Sequence, residues 1–290
     1  MIKNKKRQII LISAALLLLL IIYLLGWDAK KFRELREGEI GVYFIDTAQS
    51  DAILIKSSEG AVLIDTGDVD NGKEIVSFLR SKDVKTLNSL VITHPHSDHI
   101  GGIFEVLGNT EVGNLYMPDI PEDLIYDTVL YDETIEYSYK NGINFISADS
   151  DEEFSIGNMK FTFLSPIDSY SDVNNYSAVL KLEYQACSFL FCGDIEKEGI
   201  EKLLKSDADL SADLVKVPHH GGNMSLNSEF YLRVSPRYAV ITVGENSYGH
   251  PNYNTLEALN EIGAEIYRTD KSGTVSFICD GADFEIETEN

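Results

Sequence analysis

Cysteine is scarce: three residues in 290, with no CxxC pair. A disulfide scaffold and a cysteine-based zinc site are therefore not expected. Cys187, Cys192 and Cys279 read as core residues. Cys187 and Cys192 are an odd number of positions apart in or near strands, so they should face opposite ways. Basic residues are also few, 24 Lys and Arg against 47 Asp and Glu, for a net charge of -23. That balance excludes an evenly basic coat that grips nucleic acid by counterion release. Any bound polyanion must meet a local cationic site. No Pro/Gly/Ser-rich linker, short-period repeat or low-complexity tract divides the chain. With 44% hydrophobic residues, a wholly disordered chain is excluded too.

One long hydrophobic run is present, Ile9 to Leu25, extended by Gly26 and Trp27. A helix rising about 1.5 Å per residue over this length just crosses a hydrocarbon core of about 30 Å. Tyr23 and Trp27 suit the interface. A cleaved signal peptide fits less well, because its apolar region is usually about 7–15 residues and ends in an A-x-A-like site. Leu24-Leu25-Gly26-Trp27-Asp28 offers no such site, and no Cys follows for lipid attachment. The expected organisation is a basic tail over residues 1–8, a transmembrane anchor over 9–27, a charged linker over 28–38 and one folded domain over 39–290. Lys3, Lys5, Lys6 and Arg7 before the span are nearly balanced by Lys30, Lys31, Arg33 and Arg36 after it. Beyond residue 27 the chain holds 20 basic and 47 acidic residues. A short basic tail and a long acidic remainder lean towards N-in, C-out. The expectation is a single-pass cell-membrane protein, touching lipid through its anchor, with the folded domain outside. One span is too few to form a channel by itself.

The folded part reads as two similar halves. GVYFIDTA, AILIKSS and AVLIDTG are β-rich runs separated by turn residues. NGKEIVSFLRSKD has helical spacing, LNSLVITHPH reads as a buried strand ending in polar residues, and GGIFEVLGN as a short helix. Residues 121–140 look helical, and INFIS, FSIG and MKFTFLSP return to strand. In the second half SAVLKLEY and SFLFCGD are strands, KEGIEKLLKS a helix, ADLVKVPHHGG a strand ending in histidines, and RYAVITVG a strand. TLEALNEIG is a helix, and AEIYRTD and GTVSFICD are closing strands. Meanders mixed with helical returns suggest two sheets, each covered on its outer face by helices.

All six histidines, His94, His96, His99, His219, His220 and His250, fall at ends of apolar strands beside Gly or Pro. In Thr93-His94-Pro95-His96-Ser97-Asp98-His99, two histidines at i and i+2 point the same way from an extended chain and can grip one ion. After the turn, Asp98 and His99 can reach a second ion about 3.5–4 Å away, the separation used in two-metal hydrolysis. A solvated polar turn is the plainer alternative, but four ligand-type residues in six positions weigh against it. Asp65, ending the strand LIDTGD, can accept a hydrogen bond from a ligand histidine or simply form an Asx turn. Asp194, after FLFCG, can bridge two cations or cap the next helix.

Together LIDTGD, THPHSDHIGG, FCGDI, KVPHHGG and VGENSYGHP resemble the metallo-β-lactamase fold. More narrowly they resemble the hydrolase domain of ComEC/Rec2-type DNA-uptake (competence) proteins, over about Glu39 to Ile286. The resemblance implies a four-layer αββα sandwich of the α/β (α+β) class, with a metal site at one edge. It implies two divalent ions, zinc or manganese. His94 and His96 would hold the first, Asp98, His99 and His250 the second, with Asp194 bridging and Asp65 orienting a ligand. The family's usual further histidine before Asp194 is missing; the segment reads Asp172-Val173-Asn174-Asn175-Tyr176-Ser177. The first ion could then be completed by water, Asn175, His219 or His220. Asp98, His219 and His220 are the candidate catalytic residues, and Asn175, Ser177 and Tyr248 candidate substrate contacts. Tyr248 and Tyr253 could stack on bases or pack into the fold.

A bound divalent ion lowers the pKa of water towards neutrality. With this chemistry, the resemblance to DNA-uptake proteins implies a metal-dependent hydrolase, a phosphodiesterase or nuclease acting on DNA. Two alternatives stand beside it: hydrolysis of a small β-lactam, lactone or thioester, and a non-catalytic accessory module with a degenerate site.

Overall fold

The computed structural model describes residues 32–290, and one compact unit runs from Glu34 to Thr288. The expected tail and membrane anchor, residues 1–27, lie outside the described residues. Among the described residues, no helix is long and apolar enough to cross a membrane. The residues just before Glu39 are stitched to the domain. The Tyr184 hydroxyl donates to the Gly38 carbonyl at 2.7 Å, and the Arg36 N–H donates to the Glu39 carboxylate at 2.7 Å.

Each half begins as an antiparallel meander and ends as parallel strands joined by helices. In the first half β1 (Ile40–Phe44), β2 (Ile53–Lys56) and β3 (Ala61–Ile64) are antiparallel. Helix α1 (Gly72–Ser81) returns the chain so that β4 (Thr86–Val91) pairs parallel to β3. Two short helices, α2 (Ser97–Ile100) and α3 (Ile103–Asn109), lead to β5 (Glu111–Met117), and α4 (Thr128–Asn141) leads to β6 (Asn144–Ser147), again parallel. In the second half β7 (Glu153–Ile156), β8 (Met159–Ser165), β9 (Val179–Tyr184) and β10 (Cys187–Phe191) are antiparallel. Then α5 (Lys197–Lys205), α6 (Ser228–Val234) and α7 (Tyr253–Glu261) alternate with the parallel strands β11 (Leu214–Lys216), β12 (Tyr238–Ile241) and β13 (Glu265–Arg268). After the one-turn helix α8 (Thr269–Ser272), β14 (Val275–Cys279) and β15 (Phe284–Thr288) cross back to close the first sheet. The strand orders are β15-β14-β1-β2-β3-β4-β5-β6 and β13-β12-β11-β10-β9-β8-β7.

Side-chain alternation along the strands builds the layers. Val42 and Phe44 point between the sheets, where they meet Phe163, Phe189, Phe191 and Phe277. Tyr43 points outward and packs edge-on against Phe78 of α1, centroids 5.7 Å apart. In the second sheet Phe189 and Phe191 face the other sheet, while Leu190 faces α5 and α6 through Ile200, Leu203, Phe230 and Val234. Helix, sheet, sheet, helix is the expected four-layer order.

Three local expectations change. The helix expected over 121–140 starts at Thr128, because Asp127 caps it by accepting from Leu130 N–H and Pro121 and a short turn precede it. Helix α6 was not foreseen from its seven residues; Asn227 caps it by accepting from Phe230 N–H. The third concerns cysteine. Cys187 and Cys279 are core residues as expected, but they also form a disulfide across the inter-sheet layer, closing a separation of 92 residues. Few cysteines exclude a scaffold of bridges, not a single staple brought together by the last strand pair. Cys192 does face the opposite side, in the outer core, and its thiol is pushed up to about 12 by burial. Thiol titration without reductant should therefore find one reactive cysteine, and only after denaturation. Three titratable thiols in the freshly purified protein would remove the staple.

Candidate metal centre

The loops leaving β3, β4, β10, β11 and β12 converge at one edge of the sandwich, each from the carboxyl end of a strand in a parallel pair. Such ends are where helix-covered parallel sheets leave an open crevice. Asp65 follows β3 in a left-handed backbone conformation, φ 59°. Its carboxylate accepts from Thr93 N–H at 2.7 Å and Thr93 O–H at 2.8 Å, and lies 2.8 Å from His99 Nδ1. Asp65 is fully buried, and burial raises its pKa although His99 and the Thr93 bond pull the other way. The geometry is that of a carboxylate fixing the ring of a ligand histidine.

His99 turns its other nitrogen, Nε2, to two carboxylates: Asp194 Oδ2 at 3.4 Å and Asp98 Oδ2 at 3.7 Å. His220 Nε2 approaches the same two atoms, at 3.6 Å and 3.4 Å. The His220 tautomer follows from its back side. Nδ1 lies 2.7 Å from the Thr242 carbonyl, which can only accept, so Nδ1 carries a proton and Nε2 is the nitrogen turned to the two carboxylates. His219 and His220 both sit in the left-handed region, φ 49° and 50°, followed by Gly221 at 76°. That conformation costs about 1–2 kcal/mol per non-glycine residue, and the buried contacts of His220 hold it in place.

These distances fit a shared cation. Two ligands about 2.1 Å from a tetrahedral ion stand about 3.4 Å from each other. The four histidine–aspartate pairs among Asp98, His99, Asp194 and His220 lie at 3.4–3.7 Å, and ligand atoms of all four residues lie within 4.8 Å of one another. One buried atom of the set, His99 Nε2, has no hydrogen-bond partner, as an atom meant for an ion would not. Without an ion, the charges lean on each other. Burial works against the His99 cation, but Asp194, Asp98 and Asp65 outweigh it and hold its pKa well above the usual value. Burial likewise opposes the Asp194 anion, and His220, His99 and His219 outweigh it.

The second pair of imidazoles is less fully equipped. His94 Nε2 and His96 Nδ1 are 3.0 Å apart, and burial pushes both pKa values down, which favours the neutral form that metal ligation needs. Asn175, expected as a possible completing ligand or substrate contact, is engaged elsewhere. Its Oδ1 accepts from Glu196 N–H at 3.1 Å and Gly199 N–H at 2.8 Å, so it caps α5 from outside the helix. Of the two readings left open for Asp194, capping of the next helix is the one the structure does not use. Ser177 is fully buried and its Oγ accepts from Asp194 N–H at 3.0 Å, which makes it a holder of the Asp194 backbone rather than a substrate contact.

His250 does not join the four-residue cluster. Its ring lies 5.2 Å from His219 and 6.4 Å from His220, and its Nδ1 is 3.5 Å from Gln49 Nε2. Burial and the neighbouring His219 and His220 lower its pKa to about 4. His220 is the histidine whose ring nitrogen lies within 4.8 Å of the Asp98, His99 and Asp194 ligand atoms. His219 stands at the rim, with Nε2 3.7 Å from Asp194 Oδ2 and Nδ1 3.0 Å from Glu196 Oε1.

Beneath the centre lies a pair that sequence reasoning passed over. The Lys216 ammonium is fully buried, ion-paired with Asp51, 3.6 Å from Asp194 Oδ1, and donates to Gly193 O at 3.1 Å. Burial disfavours its charge, but Asp51 and Asp194 outweigh it and raise its pKa. Asp51 also accepts from the Thr242 hydroxyl and lies 3.8 Å from His99 Nδ1 and 3.6 Å from His220 Nδ1. It therefore touches the backs of both ligand-type rings. No motif spacing flags Asp51, and Lys216 was visible only as part of KVPHHGG.

Two outcomes follow from this geometry. His220→Ala should weaken the tighter Mn2+ or Zn2+ binding measured by calorimetry by more than about 100-fold, above the 10- to 100-fold typical of an outer partner, whereas His250→Ala should change it little. Equal losses would undo the assignment of the cluster. Lys216→Met should cost about 3–5 kcal/mol of stability in urea unfolding by stranding Asp51, and Asp51→Asn with Lys216→Met should recover most of it.

Comparison with known proteins agrees with this architecture. The family description "Metallo-beta-lactamase superfamily" matches residues 45–245. ComE operon protein 3 of Bacillus subtilis (strain 168) is 29% identical over 265 residues, covering 83% of this chain and 33% of that protein. Competence protein ComA of Neisseria gonorrhoeae is 29% identical over 260 residues, covering 88% of this chain and 35% of that protein. The chain thus spans about a third of the length of these relatives. Among solved structures, the metallo-beta-lactamase fold protein YhfI from Bacillus subtilis superposes with a TM-score of 0.54 at 14% identity, covering 81% of this chain and 98% of that one, a likeness of fold.

Proposed function

Because the chain belongs to the metallo-beta-lactamase superfamily and its domain matches the ComEC/Rec2-type hydrolase domain, we propose that it is a membrane-anchored, metal-dependent phosphodiesterase acting on DNA. The observation that carries the hydrolytic part is the set Asp98, His99, Asp194 and His220, spaced as ligands of one cation. His94 and His96 are the residues that would hold a second ion, with Asp194 between the two. Bound ions would supply an activated water and neutralise phosphoryl charge. Asp65 fixes His99, Thr242 fixes His220, and Asp51 with Lys216 supports both from behind. His219, with Glu196 at its Nδ1, presents Nε2 at the rim, where it would hydrogen-bond a phosphoryl oxygen.

DNA as substrate draws support from the resemblance to ComEC/Rec2-type DNA-uptake proteins and from the relative named Competence protein ComA. The acidic surface opposes it, since net charge repels a polyanion at long range. The attraction must then be local, at the ions and the rim histidines. Placement outside the cell draws support from the apolar run over residues 9–27 and from the Cys187–Cys279 disulfide, because disulfides persist in oxidising compartments. On this reading the domain works beside DNA uptake at the membrane, with lipid as its anchor's partner.

The test is cleavage of single- and double-stranded DNA by the full chain in detergent with Mn2+ or Zn2+. Cleavage should vanish with chelator and fall by at least about 100-fold in His96→Ala, the scale of a lost metal-site residue. Turnover of nitrocefin without DNA cleavage would replace DNA by a small substrate, and a folded protein that binds no metal and cleaves nothing would end the hydrolase reading.

A further inference from the structure

The loop between β12 and α7 holds a feature that the metal centre does not use. Tyr248 is 76% exposed, so it packs against nothing that would explain it as a core residue. Yet the loop that carries it is cross-braced. The Asn246 amide donates to Gly244 O and His250 O, both at 2.9 Å, and its Oδ1 accepts from Tyr248 N–H and His250 N–H, both at 3.1 Å. Gly244 N–H in turn donates to Gln49 Oε1 at 3.3 Å, tying the loop to the first half of the chain. Next to it, Asn252 N–H donates to Gly221 O, joining this loop to the one that bears His219 and His220. Ordering a surface loop costs conformational entropy, and here the ordered product is an aromatic ring held out in solvent.

The rings form a series. His220 is buried beside Asp98 and Asp194. From it, centroid steps of 6.2 Å to His219, 5.2 Å to His250 and 5.8 Å to Tyr248 lead outward. Each step falls within the ~4.5–7 Å range of aromatic contacts. A planar ligand could rest on the outer end of this series while a neighbouring group reaches the centre. Stacking needs no opposite charge, so it offers affinity that the acidic surface does not cancel.

We propose that Tyr248 is the outer stacking platform of a subsite for an unpaired nucleobase, one that sets the position of the adjoining phosphodiester at the metal centre. This rests on the phosphodiesterase reading and adds a preference to it: a base paired inside a duplex hides the face that Tyr248 would meet, whereas a single strand exposes it.

The experiment measures binding rather than turnover, so that it stands apart from the reaction. The full chain in detergent, loaded with Mn2+, is titrated by fluorescence anisotropy against fluorescein-labelled dT12, rU12 and a 12-base-pair duplex, all phosphorothioate-linked to resist cleavage. The unmodified chain should bind a single strand more tightly than the duplex, and the tighter of dT12 and rU12 is carried forward to the variants. For that strand Tyr248→Ala should weaken binding by about 5- to 100-fold, the range of one base–aromatic stack, and Tyr248→Trp should restore it. The surface position of Tyr248 makes both variants safe for folding, which unfolding curves would verify. Unchanged binding in Tyr248→Ala, an equal loss on the duplex, or no binding of any strand by the unmodified chain would overturn the subsite. Failure to cleave DNA in the presence of Mn2+ or Zn2+, with the binding contrast intact, would instead strike the phosphodiesterase reading alone.

Discussion

Asp194 is the point on which the centre turns. It is a buried carboxylate that meets His99, His219 and His220 at one oxygen and the Lys216 ammonium at the other. A lone buried anion is costly, and these four nitrogen-bearing neighbours offset that cost. The arrangement persists only if every member stays in place, which explains the support at its edges. Ser177 holds the Asp194 backbone, Asn175 takes over the capping of α5, and Asp51 neutralises the ammonium behind it. The polar cluster is thus a single cooperative unit rather than a set of separate ligands.

The sandwich makes this unit possible by joining distant chain segments. Asp51, Asp65, Asp98 and His99 come from the first half; Asp194, Lys216, His220 and Thr242 come from the second. The hydrogen bond from Thr242 to Asp51 spans 191 residues of sequence. Apolar packing between the sheets, dominated by Phe44, Phe163, Phe189, Phe191 and Phe277, holds the halves in register. Its burial supplies the large favourable term against which the polar edge is arranged. The Cys187–Cys279 bond adds a covalent tie on the same inter-sheet layer.

The centre is also uneven. One side offers Asp98, His99, Asp194 and His220, the other His94 and His96. Where the missing histidine would stand, the chain has committed Asn175 and Ser177 to supporting α5 and Asp194. From the better-equipped side, His219, His250 and Tyr248 lead away as a series of rings, beginning at the buried His220 and ending at an exposed tyrosine.

By itself the sequence determined the local pieces. Strands ending in LIDTGD, VITHPH, FCGD and KVPHH are short apolar runs broken by Gly or Pro, and period-two and 3.6-residue patterns are intrinsic to the chain. The ligand-type residues were visible because histidine is rare and its six copies cluster at strand ends. Only the tertiary structure decided which of them meet. His220 rather than His250 enters the cluster because two left-handed residues swing its ring inward, and backbone handedness of that kind leaves little trace in residue type. Asp51, Lys216 and Glu196 stayed hidden because a common charged residue gains its meaning from a neighbour far away along the chain. The Cys187–Cys279 pairing stayed hidden for the same reason, since contact between strands of different sheets depends on how the layers stack and not on spacing along the sequence.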